Sequence, residues 1–409
     1  MQRVKPTQKQ LEYMDWEFGV FFHFGIRTFN EDRVDWDGED MSLETFNPVN
    51  LDCEQWIKTI KEAGATYAIL TAKHHDGFAN WPSKYTEYGV KNTPWKNGEG
   101  DVVREFTDAC RKYDIKVGIY YSPAQFGFTQ MSGKEYDDYF INQISELLTN
   151  YGKIDYLWFD GCGSENHKYD TDRIIGCIRT LQPEILIFSM WDPDVRWVGN
   201  EEGIVPFGSK YVVGSAKTSI NMQEEEWLTE PRFLPYECDC KIRRYSWFYN
   251  SGDLQHIRDI DDLMGLYENS VGRGGNLLIN IAPDNRGLLP EEDSSIIVEF
   301  GKKVEEKYSK PLDVIVEKEE KSYIIKPVNG TLSVKTIVIK EDLSDGQGVE
   351  EFSINYNIYS WDLPLYEGKT IGHKLIFNVT PMFLDDVRFI KIKIEKCDGE
   401  LTPLDIKVY

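Results

Sequence analysis

Tyr156-Leu157-Trp158-Phe159-Asp160-Gly161 is the stretch on which the reading of this chain turns. Residues with strong strand preference run into a carboxylate, and a glycine follows at once. Such a segment reads as a buried strand whose last residue faces a pocket. Upstream, Phe18–Gly25 (FGVFFHFG), Thr66–His74 (TYAILTAKH) and Lys116–Ser122 (KVGIYYS) have the same build, and Ile185–Met190 (ILIFSM) and Asn276–Ala282 (NLLINIA) follow downstream. Between them lie helix-like stretches at 52–64, 102–113, 135–151, 171–181 and 259–269, the first with apolar Trp56, Ile57, Ile60 and Ala63 on one side. Near-continuous apolar strands separated by amphipathic helices indicate parallel βαβ units. Strand after strand ends in polar or aromatic residues: His23, His74-His75-Asp76, Tyr120-Tyr121-Ser122, Asp160, Trp191-Asp192. A (β/α)8 barrel carries its site at that end, whereas a doubly wound sheet gathers polar residues at one switch point. The expected class is therefore α/β, an irregular (β/α)8-like TIM barrel over residues 1–308.

Past Ser309-Lys310-Pro311 the pattern changes to short alternating strands at 314–317, 322–327, 332–340, 351–357, 374–379, 387–395 and 404–408. Residues 309–409 read as a C-terminal β-sandwich. In it Tyr359 and Trp361 are candidate sugar-stacking residues, with burial of at least one of them in the core as the competing reading.

The chain has 409 residues, 41% of them hydrophobic, and 46 basic against 69 acidic side chains give a net charge of −23. A surface this acidic repels phosphate backbones and anionic bilayers, so neither nucleic acid nor a membrane is an expected partner. No apolar run is long enough to span a bilayer. The N-terminus shows no signal peptide, which points to the cytoplasm unless a leader has been removed. Seven scattered cysteines suit reduced thiols better than a disulfide framework, and Cys238-Asp239-Cys240 alone is a weak metal motif. The glycines of Val271–Asn276 stand between a helix and a strand, the reverse of a phosphate-binding loop.

The chemistry-bearing residues cluster. Trp158 lies two positions before Asp160 and so on the same strand face, a carboxylate beside an indole. Three of the six histidines, His23, His74 and His75, close the first two strands. Their spacing lacks the pattern of a metal site and suits recognition of hydroxyl groups. Glu201 sits in a glycine-flanked loop after a strand, and Glu237 is its rival for the same role. Two carboxylates flanking a scissile bond are what glycoside hydrolysis needs, one to attack and one to donate a proton. A metal-dependent barrel hydrolase and a sugar-binding protein without turnover are the alternatives.

Taken in order, His23-Phe24-Gly25, His74-His75-Asp76-Gly77-Phe78, Gly118–Pro123, Leu157–Gly161 and Asn276–Pro283 resemble the family 29 glycoside hydrolases, the retaining α-L-fucosidases. The resemblance covers roughly residues 10–300. It implies Asp160 as nucleophile, Trp158 as sugar platform, and His23, His74 and His75 as ligands of fucose hydroxyls. By the same token Tyr120 is a pocket tyrosine, Trp36 in Asp35-Trp36 contacts the sugar, and Arg196 stands near the acid/base. Arg196–Glu201 and Glu237–Tyr249 resemble the subfamily acting on α-1,3/1,4-linked fucose in branched, Lewis-type glycans. There the Glu after Gly-Asn is the acid/base, here Glu201, with Glu237 as substrate contact or alternative acid/base. The substrate implied is a fucosylated oligosaccharide or glycoconjugate, and no metal or organic cofactor is required.

Overall fold

A computed structural model describes residues 3–34, 36–124, 131–164, 167–218, 226–379 and 384–409. The barrel strands are β1 (Phe18–Phe22), β2 (Tyr67–Lys73), β3 (Lys116–Tyr121), β4 (Tyr156–Phe159), β5 (Leu186–Phe188) and β6 (Arg196–Trp197). An antiparallel hairpin, β7 (Val212–Ala216) and β8 (Glu226–Phe233), intervenes before β9 (Tyr236–Lys241) and β10 (Asn276–Asn280) complete the sheet. In space the 8-stranded order is β5-β4-β3-β2-β1-β10-β9-β6, every pair parallel. The two edges meet where Phe188 bridges Val195 and the Ser189 N–H donates to the Val195 carbonyl at 2.8 Å. The sheet thus curls into a nearly closed barrel. It is irregular because a short turn rather than a helix joins β5 to β6, and a hairpin stands in the next connection.

The helices are α1 (Gln8–Met14), α2 (Cys53–Glu62), α3 (Val102–Lys112), α4 (Gly133–Asn150), α5 (Thr171–Leu181), α6 (Ile260–Ser270) and α7 (Glu291–Tyr308). Asp52, Asp101, Asp170 and Asp259 each accept a backbone N–H at the start of α2, α3, α5 and α6. A cap of this kind stabilises a helix by about 1 kcal/mol, so part of the acidic excess is used locally. Trp56, Ile57 and Ile60 of α2 are fully buried against the outer face of the strands. A second apolar cluster fills the barrel interior, drawing on Tyr67, Tyr120, Tyr156, Trp158, Phe188 and Trp197. That interior needs Gly19 in β1: a Cβ there would lie 2.4 Å from the Tyr67 ring.

After α7 the chain forms two antiparallel sheets. The larger joins β11 (Val314–Lys318), β12 (Ser322–Pro327), β18 (Leu384–Cys397), β15 (Val349–Ile358) and β16 (Trp361–Gly368), with β13 (Leu332–Val334) added on β18. The smaller is β17 (Leu375–Asn378), β14 (Thr336–Glu341) and β19 (Leu404–Val408). Ile325, Ile337, Ile354, Ile390 and Val408 lie between them. This unit is fastened to the barrel: Lys374 and Lys340 pair with Glu17 at 2.6 and 3.3 Å, and Val338 and Ile376 join the barrel's outer apolar layer. Among the described residues no helix is long and apolar enough to cross a membrane.

The elements α1, α7, β6 to β9 and β16 lie outside the pattern expected from sequence. Burial of Tyr359 or Trp361 is overturned, since both are 67% exposed at the β15–β16 turn. Ile358 pairs with Trp361, so Tyr359-Ser360 is a two-residue loop, and Tyr359 has φ +54°. Hairpins place Gly or Asn at such a position, and a bulky residue there costs on the order of 1 kcal/mol.

Candidate active site

The C-terminal ends of the strands open into a cavity of about 460 Å³ lined by Phe21, His23, Trp36, His74, His75, Tyr120, Trp158, Asp160, Cys162, Phe188, Trp197, Glu201, Thr218, Asp239 and Trp247. Its volume lies within the range of about 300–1,000 Å³ usual for small-molecule sites. Eight of the residues singled out by sequence meet here: Asp160, Glu201, His23, Trp36, His74, His75, Tyr120 and Trp158. Trp36, 59% exposed, reaches the cavity from the loop after β1. Asp35 beside it lies outside the described residues.

Asp160 follows β4 and is held from several sides. The Cys162 N–H donates to its Oδ1 at 2.9 Å, the Tyr120 hydroxyl donates to Oδ2 at 3.0 Å, and His75 Nε2 is 3.5 Å from Oδ2. Gly161 is required by close approach: its N–H donates to the Thr218 carbonyl at 3.0 Å, and a Cβ would meet that oxygen at 2.7 Å. The histidines are oriented in turn. His75 Nδ1 bonds Ser122 Oγ at 2.7 Å and His23 Nδ1 bonds Asn280 Oδ1 at 2.7 Å, while the His74 ring stacks on Tyr120 at 5.2 Å. Behind this wall the buried Lys73 donates to the Ser122 carbonyl at 2.7 Å. Burial lowers its ammonium to a pKa of about 7.

Trp158 forms the floor. Its ring stacks on Phe188 at 4.1 Å and on Tyr120 at 5.4 Å, and its indole N–H donates to Glu237 at 2.9 Å. Glu237 is fully buried and also accepts from Tyr67 at 2.7 Å, Tyr13 at 2.9 Å and Tyr156 at 3.4 Å. Burial raises its carboxyl above the usual range, and these four donors oppose the shift. Glu237, expected as a substrate contact or alternative acid/base, is not among the residues that line the cavity and bonds the back of Trp158 instead. Arg196 likewise is not among the residues that line the cavity. It alternates with the inward Trp197 on β6, its guanidinium lies 4.8 Å over Tyr236, and it donates to the Lys210 carbonyl at 3.0 Å.

A second wall carries Glu201. Lys241 Nζ is 3.5 Å from its Oε2 and 4.7 Å from the Trp247 ring centre. Asp239, which sequence reasoning passed over as a cavity residue, lines the same wall and accepts the Trp197 indole N–H at 2.7 Å. Burial, reinforced by the charge of Glu201, pushes Asp239 up to about 8. Asp239 therefore holds a proton at neutral pH. The signal for Asp239 was the alternation Glu237-Cys238-Asp239-Cys240-Lys241. Its acids and lysine face the barrel interior, while Cys238 and Cys240 are buried among apolar residues behind the strand.

The chemistry of the cavity is thus a rigid carboxylate at a strand end, an aromatic floor, imidazoles with fixed orientation, and a second wall with two carboxyls, of which Asp239 carries a proton. Such a set reads hydroxyl groups and moves a proton beside a nucleophile. Residues 2–307 match the family described as Alpha-L-fucosidase. Alpha-L-fucosidase 1 of Arabidopsis thaliana is 36% identical over 305 residues, 72% of this chain but only 59% of that relative's length. A glycoside hydrolase 29 family member from an unknown rumen bacterium superposes with a TM-score of 0.90 at 32% identity, over 100% of this chain and 78% of that one. A Ruminococcus gnavus GH29 fucosidase in complex with fucose gives 0.84 at 26% identity, over 99% and 95%. The chain belongs to the alpha-L-fucosidase family, glycoside hydrolase family 29.

Proposed function

We propose that this protein is a retaining exo-α-L-fucosidase that removes α-1,3/1,4-linked fucose from branched, Lewis-type glycans. The observation that carries the reading is the meeting of Asp160 and Glu201 across one cavity floored by Trp158 and lined by three imidazoles. The similar R. gnavus enzyme holds fucose. Fucose is a 6-deoxy sugar, so it presents a methyl group and an apolar face for aromatics, and hydroxyls for His23, His74 and His75.

In the first step a carboxylate oxygen of Asp160 bonds to the anomeric carbon as the bond to the leaving oxygen breaks. Glu201 gives its proton to that oxygen. In the second step Glu201 takes a proton from water, the water oxygen bonds to the anomeric carbon, and the ester to Asp160 breaks. Two inversions give net retention, which calls for carboxyls about 5–5.5 Å apart in the reacting state. Asp239, protonated near neutrality, gives Glu201 a neutral neighbour on this wall. Glu237 serves as the post that fixes Trp158, not as the acid/base.

Free fucose released from an aryl α-L-fucoside and from a Lewis-type trisaccharide, measured with wild type, Asp160→Ala and Glu201→Gln, tests this. Release from the branched sugar, lost in both variants, is expected. Release from the aryl fucoside alone would remove the linkage assignment, and full activity of Glu201→Gln on the trisaccharide would remove Glu201 as acid.

A further inference from the structure

The β15–β16 turn leaves two aromatics to solvent where folding gives no reason for either. Tyr359 and Trp361 are each 67% exposed, and neither contributes to the apolar cluster between the sheets. Trp is the largest side chain a protein can leave in water, and its exposure forgoes more burial than that of any other residue. Tyr359 is doubly out of place, because its φ of +54° at the first position of a two-residue loop is one that Gly or Asn occupies without strain. A strained backbone at an exposed residue points to a contact outside the chain.

The flanks of the turn indicate the kind of contact. On the neighbouring strand the exposed Arg388 donates to the Tyr359 carbonyl at 2.6 Å, which holds a guanidinium beside the turn. Asp362, next to Trp361, accepts from the Asn357 amide at 2.6 Å, which fixes a carboxylate on the other flank. Asp362 and Arg388 offset one another, while the exposed Asp385 and Asp386 beside Arg388 leave the surroundings acidic, in a chain of net charge −23. A polyanion is not complemented there. A neutral polyol is: aromatic faces meet the C–H faces of pyranose rings, and hydroxyls both donate to the carboxylate and accept from the guanidinium.

We propose that Tyr359, Trp361, Asp362 and Arg388 form a second carbohydrate site, which holds the neutral, non-fucosyl part of a glycan on the C-terminal sandwich. This rests on the reading of the chain as a glycan-processing enzyme, but not on which carboxylates react. Its effect is to raise the local concentration of branched termini around the barrel cavity.

The test is native affinity electrophoresis of the full chain through gels containing poly-N-acetyllactosamine without fucose, with hyaluronan as an anionic control. Wild type is expected to be retarded by the neutral polymer only, and free fucose in excess leaves the retardation unchanged. Trp361→Ala and Tyr359→Gly each weaken it about tenfold while aryl-fucoside hydrolysis stays at the wild-type rate. Tyr359→Gly, which relieves the loop, melts no lower than wild type, so its loss of binding is not a loss of fold. Wild type that migrates freely through the neutral polymer overturns the proposal. So does retention that both variants keep, retention abolished by free fucose, or an aromatic-dependent dimer in place of retention. Retention without hydrolysis of any fucoside would instead remove the catalytic reading and leave this site standing.

Discussion

The two walls of the cavity hold their carboxylates by opposite means. On the β4 side Asp160 is fixed by short-range bonds from Cys162, Tyr120 and His75, all on or beside strand ends. On the other side Glu201 stands in a loop, where among the described residues its ion pair is with Lys241 at 3.5 Å, and it shares its surroundings with the protonated Asp239. A nucleophile has to be aimed, and rigid donors aim it. An acid that must become a base within one turnover has to change charge cheaply, and a loop beside a cation and a second carboxyl permits that. On the proposed mechanism, position within the barrel, rather than residue type, separates the two roles.

Removing the aimed wall has the largest expected effect. Asp160→Ala should lower kcat on an aryl α-L-fucoside on the order of 10⁴-fold, with activity partly restored by added azide, which attacks in its place. If azide restores nothing, the nucleophile is elsewhere. Glu201→Gln breaks the other wall and should lower turnover of the branched substrate by on the order of 10²–10⁴-fold. Its first step on an aryl fucoside should suffer much less, because a phenolate leaves without a proton. Equal losses on both substrates, measured by pre-steady-state burst, would contradict the acid role.

Glu237→Gln sharpens the contrast from beneath. The amide offers only one acceptor to four donors, so stability should fall by about 1–3 kcal/mol. We expect kcat to drop about tenfold through a loosened Trp158, and Trp fluorescence quenching by fucose should weaken with it. Unchanged quenching would deny Glu237 its part in fixing Trp158.

Asp239→Asn should remove an ionisation near pH 8 from the alkaline limb of kcat/KM, since it removes the carboxyl of this wall that burial keeps protonated up to about that pH. A limb left in place would show that ionisation of Asp239 plays no part in turnover. The smallest effects are on stability. Asp239 titrates near 8 in the folded chain and near about 4 when unfolded. The unfolded state therefore binds fewer protons between those values, and this group's contribution falls as pH rises through them. Lys73 runs the other way: about 7 folded against 10.5 free makes stability rise with pH between them. Melting temperatures from pH 5 to 8 should flatten for Asp239→Asn, and those from pH 7 to 10 should flatten for Lys73→Met.

The aimed wall was legible in the sequence because local pattern and function coincide there. Strands such as Tyr156–Phe159 are apolar on both faces, and their polar endings mark the barrel mouth without any need of tertiary knowledge. The other wall was less so. β6 has two residues, too few for periodicity to show that Trp197 faces in and Arg196 out. β9 inverts the usual pattern, with acids and a lysine inside and cysteines outside, so Asp239 read as part of a thiol motif. Glu237 looked like a catalytic acid because nothing local reveals that three tyrosines from α1, β2 and β4 enclose it. Helix α7 starts after Pro290 with no side-chain cap, and β16 carries Pro364 and a largely exposed face. Both lack the local signals by which an element announces itself.

The central claim is that Asp160 carries the sugar between two steps. Incubation with 2-deoxy-2-fluoro-α-L-fucosyl fluoride slows the second step, and peptide mass spectrometry then finds the bound sugar. The account predicts one fluorofucosyl group, on the peptide containing Asp160. A label on Glu201, Glu237 or Asp239, or none together with inverted product, would contradict it.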